Sequence, residues 1–332
     1  MSHAEPAGDL VGHAVAHPNI ALVKYWGKRS AALNLPAAGS VSATLGPMHT
    51  RTTVRWGQAT DTFALNGAAT TGKPLAQVTQ FLDLVRAMEP GLGGALVEST
   101  NDFPTAAGLA SSSSGFAALA RAATAAAGLP VDGDTLSALA RRGSGSAARS
   151  VFGGFVQMHA GTRDDGTDAV ARPLFGAAHW PLHVVIAITR DGEKDVSSRD
   201  GMNHTAHTSP YFDAWLRTVP PATDDCIDAL RRRDFGALAR VAEASALQMH
   251  ASAIAAVPGV LYWRGATLEA LHTVRTLRER QGVEVFFTVD AGPHVKAFCT
   301  AAAAEQVAAA LAAVPGVLDV LRAHVVDDPA QP

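Results

Sequence analysis

The stretch PTAAGLASSSSG, Pro104 to Gly115, sets four serines in a row between two glycines, and FAALARAATAAAG follows it directly. The second segment reads as a helix from about Ser112 to Ala127, stopped by Gly128-Leu129-Pro130. ALVEST, just upstream, reads as a strand that ends at Pro104. Small hydroxyls and glycines therefore sit where a strand turns into a helix. The first four amides of a helix have no internal partner, and the helix dipole adds partial positive charge at that end. Small residues let a large anion approach those amides, which is how helix N-termini hold phosphate. A plain capped turn needs one serine; four of them flanked by Gly108 and Gly115 favour the anion site. No lysine follows the second glycine, so the loop is not a Walker A, and it is not G-x-G-x-x-G either. Such a cradle needs cations from elsewhere in the chain, or a magnesium ion.

Outward from this stretch, strands and helices mix without a strict βα repeat. HAVAHPNIALV, RTTVRW and TFALNG alternate as strands, and KPLAQVTQFLDLVRAM has helical spacing. DTLSALARRG reads as a helix capped by Asp134 or Thr135, SAARSVF as a short helix and GGFVQMHAG as a strand. From LHVVIAIT the order becomes strand, long helices, strand, strand, helix, strand. The run from Asp224 to Ala256 is helical, with a break near Asp234-Phe235-Gly236. In VEVFFTVD, Val283, Val285, Phe287 and Val289 share one face, and Glu284, Phe286, Thr288 and Asp290 the other. The pattern predicts an α+β fold with antiparallel or mixed sheets, in two domains, 1–180 and 181–332. The first residues and the tail DDPAQP are expected to fray.

Bulk composition narrows the function. Of 332 residues, 48% are apolar and 17% charged, which fits a compact folded protein. A net charge of −3 with no basic run argues against nucleic acid. No apolar run reaches membrane-span length and no signal peptide is read, so a cytoplasmic protein is expected. Cys226 and Cys299 form neither a disulfide framework nor a zinc spacing and are expected to be reduced thiols.

The cations and a carboxylate come from four further segments: NIALVKYWGKR with Lys24 and Lys28, RRGSGSAARS with Ser144, Ser146 and Arg149, KDVSSRDGM with Ser197, Ser198 and Arg199, and TVDAGP with Asp290. Ser146 and Arg149 stand three apart and can face one way on a helix. A guanidinium there suits phosphate or carboxylate, or is a surface arginine at a helix start. Lys24 lies among aliphatic and aromatic residues, either partly buried beside a carboxylate or snorkelling to the surface. Asp290 ends a strand before a tight turn, where it can serve as an acid or base or simply close an Asx turn.

Together NIALVKYWGKR (19–29), LPAAGSVSATL (35–45), NDFPTAAGLASSSSGFAALA (101–120), GSGSAARSVFGGF (143–155), VSSRDGM (196–202), HTSPYF (207–212) and DAGP (290–293) resemble the mevalonate diphosphate decarboxylase family of the GHMP kinase superfamily, over nearly the whole chain. The resemblance implies a ribosomal protein S5 domain 2-like first domain, a ferredoxin-like second domain and an active site between them. It implies that ATP, with Mg2+, phosphorylates the 3-hydroxyl of (R)-5-diphosphomevalonate, and that loss of phosphate and CO2 then gives isopentenyl diphosphate. It further implies a homodimer. By the same resemblance Gly108, Leu109, Ala110, Ser111, Ser112 and Ser114 hold the ATP phosphates; Tyr25, Lys28, Ser144, Ser146, Ser198 and Arg199 grip the substrate; Arg149 orients its carboxylate; and Asp290, with Lys24 beside it, serves the 3-hydroxyl as base or aligner. The metal ligands are not assigned. Two positions depart from the family pattern: Ala38-Gly39-Ser40 replaces Asn-Ser-Ser, and His294 replaces asparagine. Rival readings are a monophosphate-specific decarboxylase or mevalonate 3-kinase of the same superfamily, and a non-catalytic relative. Lys28 and Arg199 together favour the diphosphate.

Overall fold

The computed structural model describes residues 10–103, 111–192, 194–329 and 331. The expected phosphate-loop residues Gly108, Leu109 and Ala110 lie outside the described residues, as do the first nine, which the sequence marks as frayed.

In chain order the strands are β1 (Val11–Ala16), β2 (Asn19–Val23), β3 (Lys28–Ser30), β4 (Leu35–Pro36), β5 (Ser40–Gly46), β6 (Thr50–Gln58), β7 (Thr62–Leu65), β8 (Ala68–Thr70), β9 (Gly94–Asn101), β10 (Phe155–Met158), β11 (Ala171–Phe175), β12 (His183–Ile188), β13 (Val285–Val289), β14 (Val295–Cys299) and β15 (Asp319–Val325). The α-helices are α1 (Lys73–Met88), α2 (Ser111–Ala126), α3 (Gly133–Gly143), α4 (Ser198–Thr208), α5 (Phe212–Arg232), α6 (Phe235–Ile254), α7 (Gly265–Gln281) and α8 (Ala304–Ala312). GSAARSV forms a 3-10 turn, Gly145–Val151.

Two large sheets organise these elements, beside a two-stranded ribbon of β3 and β4. One has the order β1-β6-β9-β7-β8; the other runs β11-β10-β5-β15-β12-β14-β13, with β2 also on β5. Paired strands are antiparallel except β7 and β9. This is the expected α+β mixture. The second sheet is continuous across both halves because β15 pairs with β12 on one side and, through His324 and Val325, with Gly46 and Leu45 of β5 on the other. The largest apolar cluster likewise joins Ile20, Leu22 and Phe155 to Ile186, Phe286 and Phe298.

Helix α2 carries the serine tract at its start and an alanine face behind it. Ala117, Ala118, Ala120, Ala122 and Ala123 are all buried. Such short side chains let α2 lie close on the first sheet. Gly12 of β1 makes the contact possible, since a Cβ there would stand 2.2 Å from the Ala122 carbonyl oxygen. The Trp56 indole then donates to the Ala123 carbonyl at 3.1 Å, so the rod that presents the serines is fixed from beneath.

Several local expectations change. α3 is capped by Asp132, whose carboxylate accepts from the Thr135 amide at 2.8 Å, because Gly133 already takes up the helix. α5 begins at Phe212 rather than near Asp224 and runs through Pro220 and Pro221. Burial of Phe212, Trp215 and Val219 on one face outweighs the local penalty of the prolines. The expected break comes at Arg233, at φ 54°, after which the Asp234 carboxylate caps the Ala237 amide at 2.8 Å. The described residues of the tail are tied down rather than frayed: Asp327 accepts from the Ala177 amide at 2.7 Å, Arg121 reaches Asp328 at 2.6 Å, and Gln331 accepts from the Val15 amide at 3.2 Å.

Candidate active site

A cavity of about 450 Å³ opens where the start of α2, the end of β2, the 3-10 turn, the start of α4 and the turn after β13 meet. Ser111, Ser112, Ser144, Ser146, Ser198, Tyr25, Lys24, Lys28, Arg149, Arg199 and Asp290 all line it. Segments spread from residue 19 to residue 291 thus converge on one crevice. Ser114 does not join them. It is buried, and its hydroxyl meets Thr50 of β6 at 2.7 Å and donates to the Ser111 carbonyl at 3.3 Å, so it secures the first turn of α2 instead of facing the cavity.

The charge balance inside is lopsided. Lys24, Lys28, Lys73, Arg149, Lys194 and Arg199 contribute six cations, and Asp290 is the one carboxylate among the described lining residues. A chain with net charge −3 therefore concentrates positive charge in one cleft, where low-dielectric walls strengthen its hold on a polyanion.

Asp290 is held at 2.6 Å by the Lys24 ammonium, which also donates to the Ala21 carbonyl at 2.8 Å. Lys24 is 1% exposed and Asp290 25%. The pair is thus sealed on the lysine side and open to the cavity on the carboxylate side. Burial would push the Asp290 carboxyl up, but Lys24, Lys296 and Arg149 outweigh it and hold it below the usual carboxylate range. Burial lowers the Lys24 ammonium, with Asp290 opposing.

Arg149 is fully built in. Its Nε donates to the Asn19 side chain at 3.1 Å and its Nη1 to the Ser40 hydroxyl at 2.7 Å. Ser40 is the residue of the departing Ala38-Gly39-Ser40 segment that keeps a polar contact here. Burial lowers the guanidinium to about 10, with Asp290 opposing, so it stays charged near neutrality. Tyr25 places a buried hydroxyl without a hydrogen-bond partner on the cavity wall. Gly145 makes room for it, because a Cβ at that position would lie 2.2 Å from the phenolic oxygen. An orphaned buried hydroxyl beside a cavity is a ready donor for a bound ligand.

Lys28, also lining the cavity, donates to Asn34 at 2.7 Å, and burial and then Arg199 push its ammonium down to about 8. Arg199 reaches the Gly143 carbonyl at 3.3 Å. Ser144 stands 3.4 Å from both Ser112 and Ser146, which links the α2 tract to the 3-10 turn through a line of hydroxyls.

A family model for the diphosphomevalonate decarboxylase-like N-terminal domain matches residues 16–171, and one for the mevalonate 5-diphosphate decarboxylase C-terminal domain matches residues 184–328. The diphosphomevalonate decarboxylase of Aspergillus fumigatus is 36% identical over 318 residues, covering 90% of this chain and 79% of its own. This chain belongs to the diphosphomevalonate decarboxylase family. The human family member is 35% identical over 300 residues, covering 84% of this chain and 74% of its own. Among solved structures, a protein designated MDDEF in complex with MVAPP, AMPPCP and magnesium superposes with a TM-score of 0.90 at 40% identity, covering 97% of this chain and 98% of that one. Mevalonate diphosphate decarboxylase from Staphylococcus aureus superposes equally well, with a TM-score of 0.90 at 35% identity over 97% and 96% of the two chains.

Sequence reasoning missed several residues of this cavity. Lys194 donates to the Ser198 hydroxyl at 2.9 Å and the Ala291 carbonyl at 2.7 Å, tying the start of α4 to the turn that carries Asp290. It heads the KDVSSRDGM segment, so its signal was present. Asn19, Asn34 and Lys73 line the same cavity, and His250 of α6 lies beneath it, with Nε2 3.2 Å from the Asp290 carbonyl. Burial pushes His250 down to about 3, so its ring is neutral under ordinary conditions. His294 is buried, with Nδ1 accepting from the Thr189 amide at 3.1 Å.

Proposed function

We propose that the protein catalyses the ATP-dependent decarboxylation of (R)-5-diphosphomevalonate to isopentenyl diphosphate, with release of ADP, phosphate and CO2. The observation that carries this reading is the Lys24–Asp290 pair, open toward the same cavity as Ser111 and Ser112. Asp290 accepts the hydrogen bond of the substrate's 3-hydroxyl and takes its proton as the oxygen attacks the γ-phosphorus of ATP. Phosphate then leaves C3, the bond to CO2 breaks, and its electron pair becomes the new carbon–carbon double bond. Arg149 orients the carboxylate, Tyr25, Lys28, Ser144, Ser146, Ser198 and Arg199 hold the diphosphate end, and Lys194 offsets charge between the two polyanions.

Ser111 and Ser112, at the amide end of α2, support an ATP phosphate site with the serine loop. A smaller apolar pocket of about 210 Å³ shares Ser111, Ser112 and Phe116 with the main cavity. Phe63, Leu65, Val78, Val97 and Leu119 line it, with Gln77 and Asn101 as polar neighbours, and it suits the adenine base. No group of three or more His, Cys, Asp or Glu side chains among the described residues could hold a metal ion. The donors present fit Mg2+ carried on nucleotide phosphates, with the Ser111 and Ser112 hydroxyls as its protein oxygens. When bound, Mg2+ neutralises charge on the phosphoryl groups.

The same reading places two domains, 1–180 and 181–332, around the cleft, in a cytoplasmic homodimer. Both cysteines are buried free thiols, which suits a reducing compartment. Exposed Ile254, Val257 and Leu261 lie close together in the second half and suit a subunit contact.

Steady-state CO2 release from mevalonate 5-diphosphate and from mevalonate 5-phosphate tests the substrate. The diphosphate is expected to have the higher kcat/KM by about 100-fold, roughly 3 kcal/mol from charge-assisted hydrogen bonds to the second phosphate. Faster release from the monophosphate would overturn the assignment. The double variant Ser111→Ala/Ser112→Ala is expected to raise KM for ATP about tenfold, with a smaller change in KM for the diphosphate; equal changes in both would remove the tract from the nucleotide site.

A further inference from the structure

Lys296 is the second residue of β14, in the otherwise apolar run VKAFC, and is 0% exposed. A buried ammonium is costly unless its surroundings use the charge. Its neighbours Val295, Ala297 and Cys299 face the cluster under α7 and α8. Lys296 faces the other side. It is opposite Thr288 on β13 and Ile186 on β12, and Thr288 donates to the Ala21 carbonyl that Lys24 also holds. Lys296 therefore lies on the sheet face that carries the Lys24–Asp290 pair.

The turn between β13 and β14 is gripped carbonyl by carbonyl. His250 Nε2 is 3.2 Å from the oxygen of residue 290, and Lys194 is 2.7 Å from that of residue 291. The hydroxyls of Thr189 and Thr267 donate to that of residue 293 at 2.8 and 2.7 Å, and Lys296 to that of residue 294 at 3.3 Å. Lys296 thus acts on both the backbone and the charge of the segment that presents Asp290. Unlike Lys194, it is not among the residues that line the cavity.

We infer that Lys296 is a positioning residue for the reaction: a second buried ammonium behind Lys24 that holds the Asp290 turn in place and keeps the site cationic as charge moves through it. This rests on the proposed decarboxylation. The charged groups that act on it are Asp290 after β13, Lys24 after β2 and Lys194 before α4, while Arg149 of the 3-10 turn and neutral His250 of α6 act on Asp290 itself. Burial, opposed by Asp290 and reinforced by Lys24 and Lys194, brings the Lys296 ammonium down to about 8. Its charge is therefore present at neutrality and lost in mild alkali.

That titration gives the test. kcat is measured at saturating ATP and mevalonate 5-diphosphate from neutral to alkaline pH for wild type, K296M and K296Q. At pH 7 both variants are expected to lose about tenfold in kcat, the size of one charge acting across a site of high effective dielectric, with KM within about twofold. The ratio of wild-type to variant kcat is expected to fall toward one as pH rises past about 8. Lys28 and the substrates titrate alike in every form and cancel from that ratio. A ratio independent of pH would assign Lys296 to packing and overturn the inference, as would a loss confined to KM or seen in K296M and not in K296Q. If K296M does not fold, the K296Q ratio alone decides. Absence of CO2 release from the wild-type enzyme would refute the proposed function instead.

Discussion

Asp290→Asn is expected to lower kcat by about 1,000-fold while leaving the affinity for both substrates within about threefold. Asparagine keeps the shape and one acceptor oxygen, so it can still receive the hydrogen bond of a tertiary hydroxyl. It cannot take the proton, and it removes the one carboxylate that, among the described lining residues, faces the six cations of the cavity. A tertiary alcohol is a weak nucleophile toward phosphorus, and proton removal in the transition state is the term the variant deletes. Single-turnover mixing with ATP and the diphosphate measures the loss, and equilibrium binding of a non-hydrolysable nucleotide confirms that the site survives. Unchanged turnover would take Asp290 out of the reaction. A thousandfold loss accompanied by equally large losses of binding would make it a structural residue.

Lys24→Met comes next in expected size. The ammonium is 1% exposed and its partner carboxylate 25%. Removing it strands Asp290 beside an apolar thioether, a break in a buried pair that costs about 3 kcal/mol, the low end of the usual range because the carboxylate reaches the cavity. Two effects follow. Thermal unfolding shifts downward by about 4 °C, on the per-residue entropy of a protein this large. The Asp290 carboxyl also loses the strongest of the charges that hold it below the usual range and rises. The wild-type carboxylate is ionised throughout the neutral region, so its protonation produces no loss of kcat there. In Lys24→Met an acid limb is expected to enter the accessible range, with activity falling as pH drops through the raised value. Turnover at pH 8 is expected to fall about 100-fold from the loss of charge balance alone. A profile that keeps its wild-type acid side would show that Lys24 does not set the ionisation of Asp290.

Much of this site was readable in the sequence because its chemistry is carried by short segments whose neighbours are small. The serines at residues 111 and 112, the GSGS turn and the strand-ending aspartate each announce a local geometry, and that geometry places them at element ends, where side chains are free to converge. Convergence itself was legible only through resemblance: nothing in local spacing says that residue 24 meets residue 290. Ser114 shows the reverse failure. It looks identical to its neighbours in the tract, yet two residues beyond Ser112 the helix turns it toward Thr50 and away from the cavity. Lys296 offered a signal that went unread, a lone charge in an apolar strand, and Lys194 a plainer one at the head of a segment already singled out. The start of α5 is not legible locally, because paired prolines are local punctuation, whereas the burial of Trp215 and Val219 that overrides them is a tertiary fact. The capping shift from Asp134 to Asp132 has the same character on a smaller scale, decided by whether Gly133 enters the helix.

The splice between β5 and β15 also bears on how the molecule is made. β5 belongs to the first fifty residues, yet one of its edges is completed by the last of the described strands, where Leu45 pairs with Val325 and the Thr44 carbonyl accepts from the Val326 amide at 3.0 Å. During synthesis the ribosome must deliver nearly everything else before that partner emerges. Until then only the Leu45–Gly46 end of β5 lacks its partner, since β2 and β10 already pair with the rest of the strand. The join between the two halves of the second sheet is thus the last of its strand pairings that the emerging chain can complete.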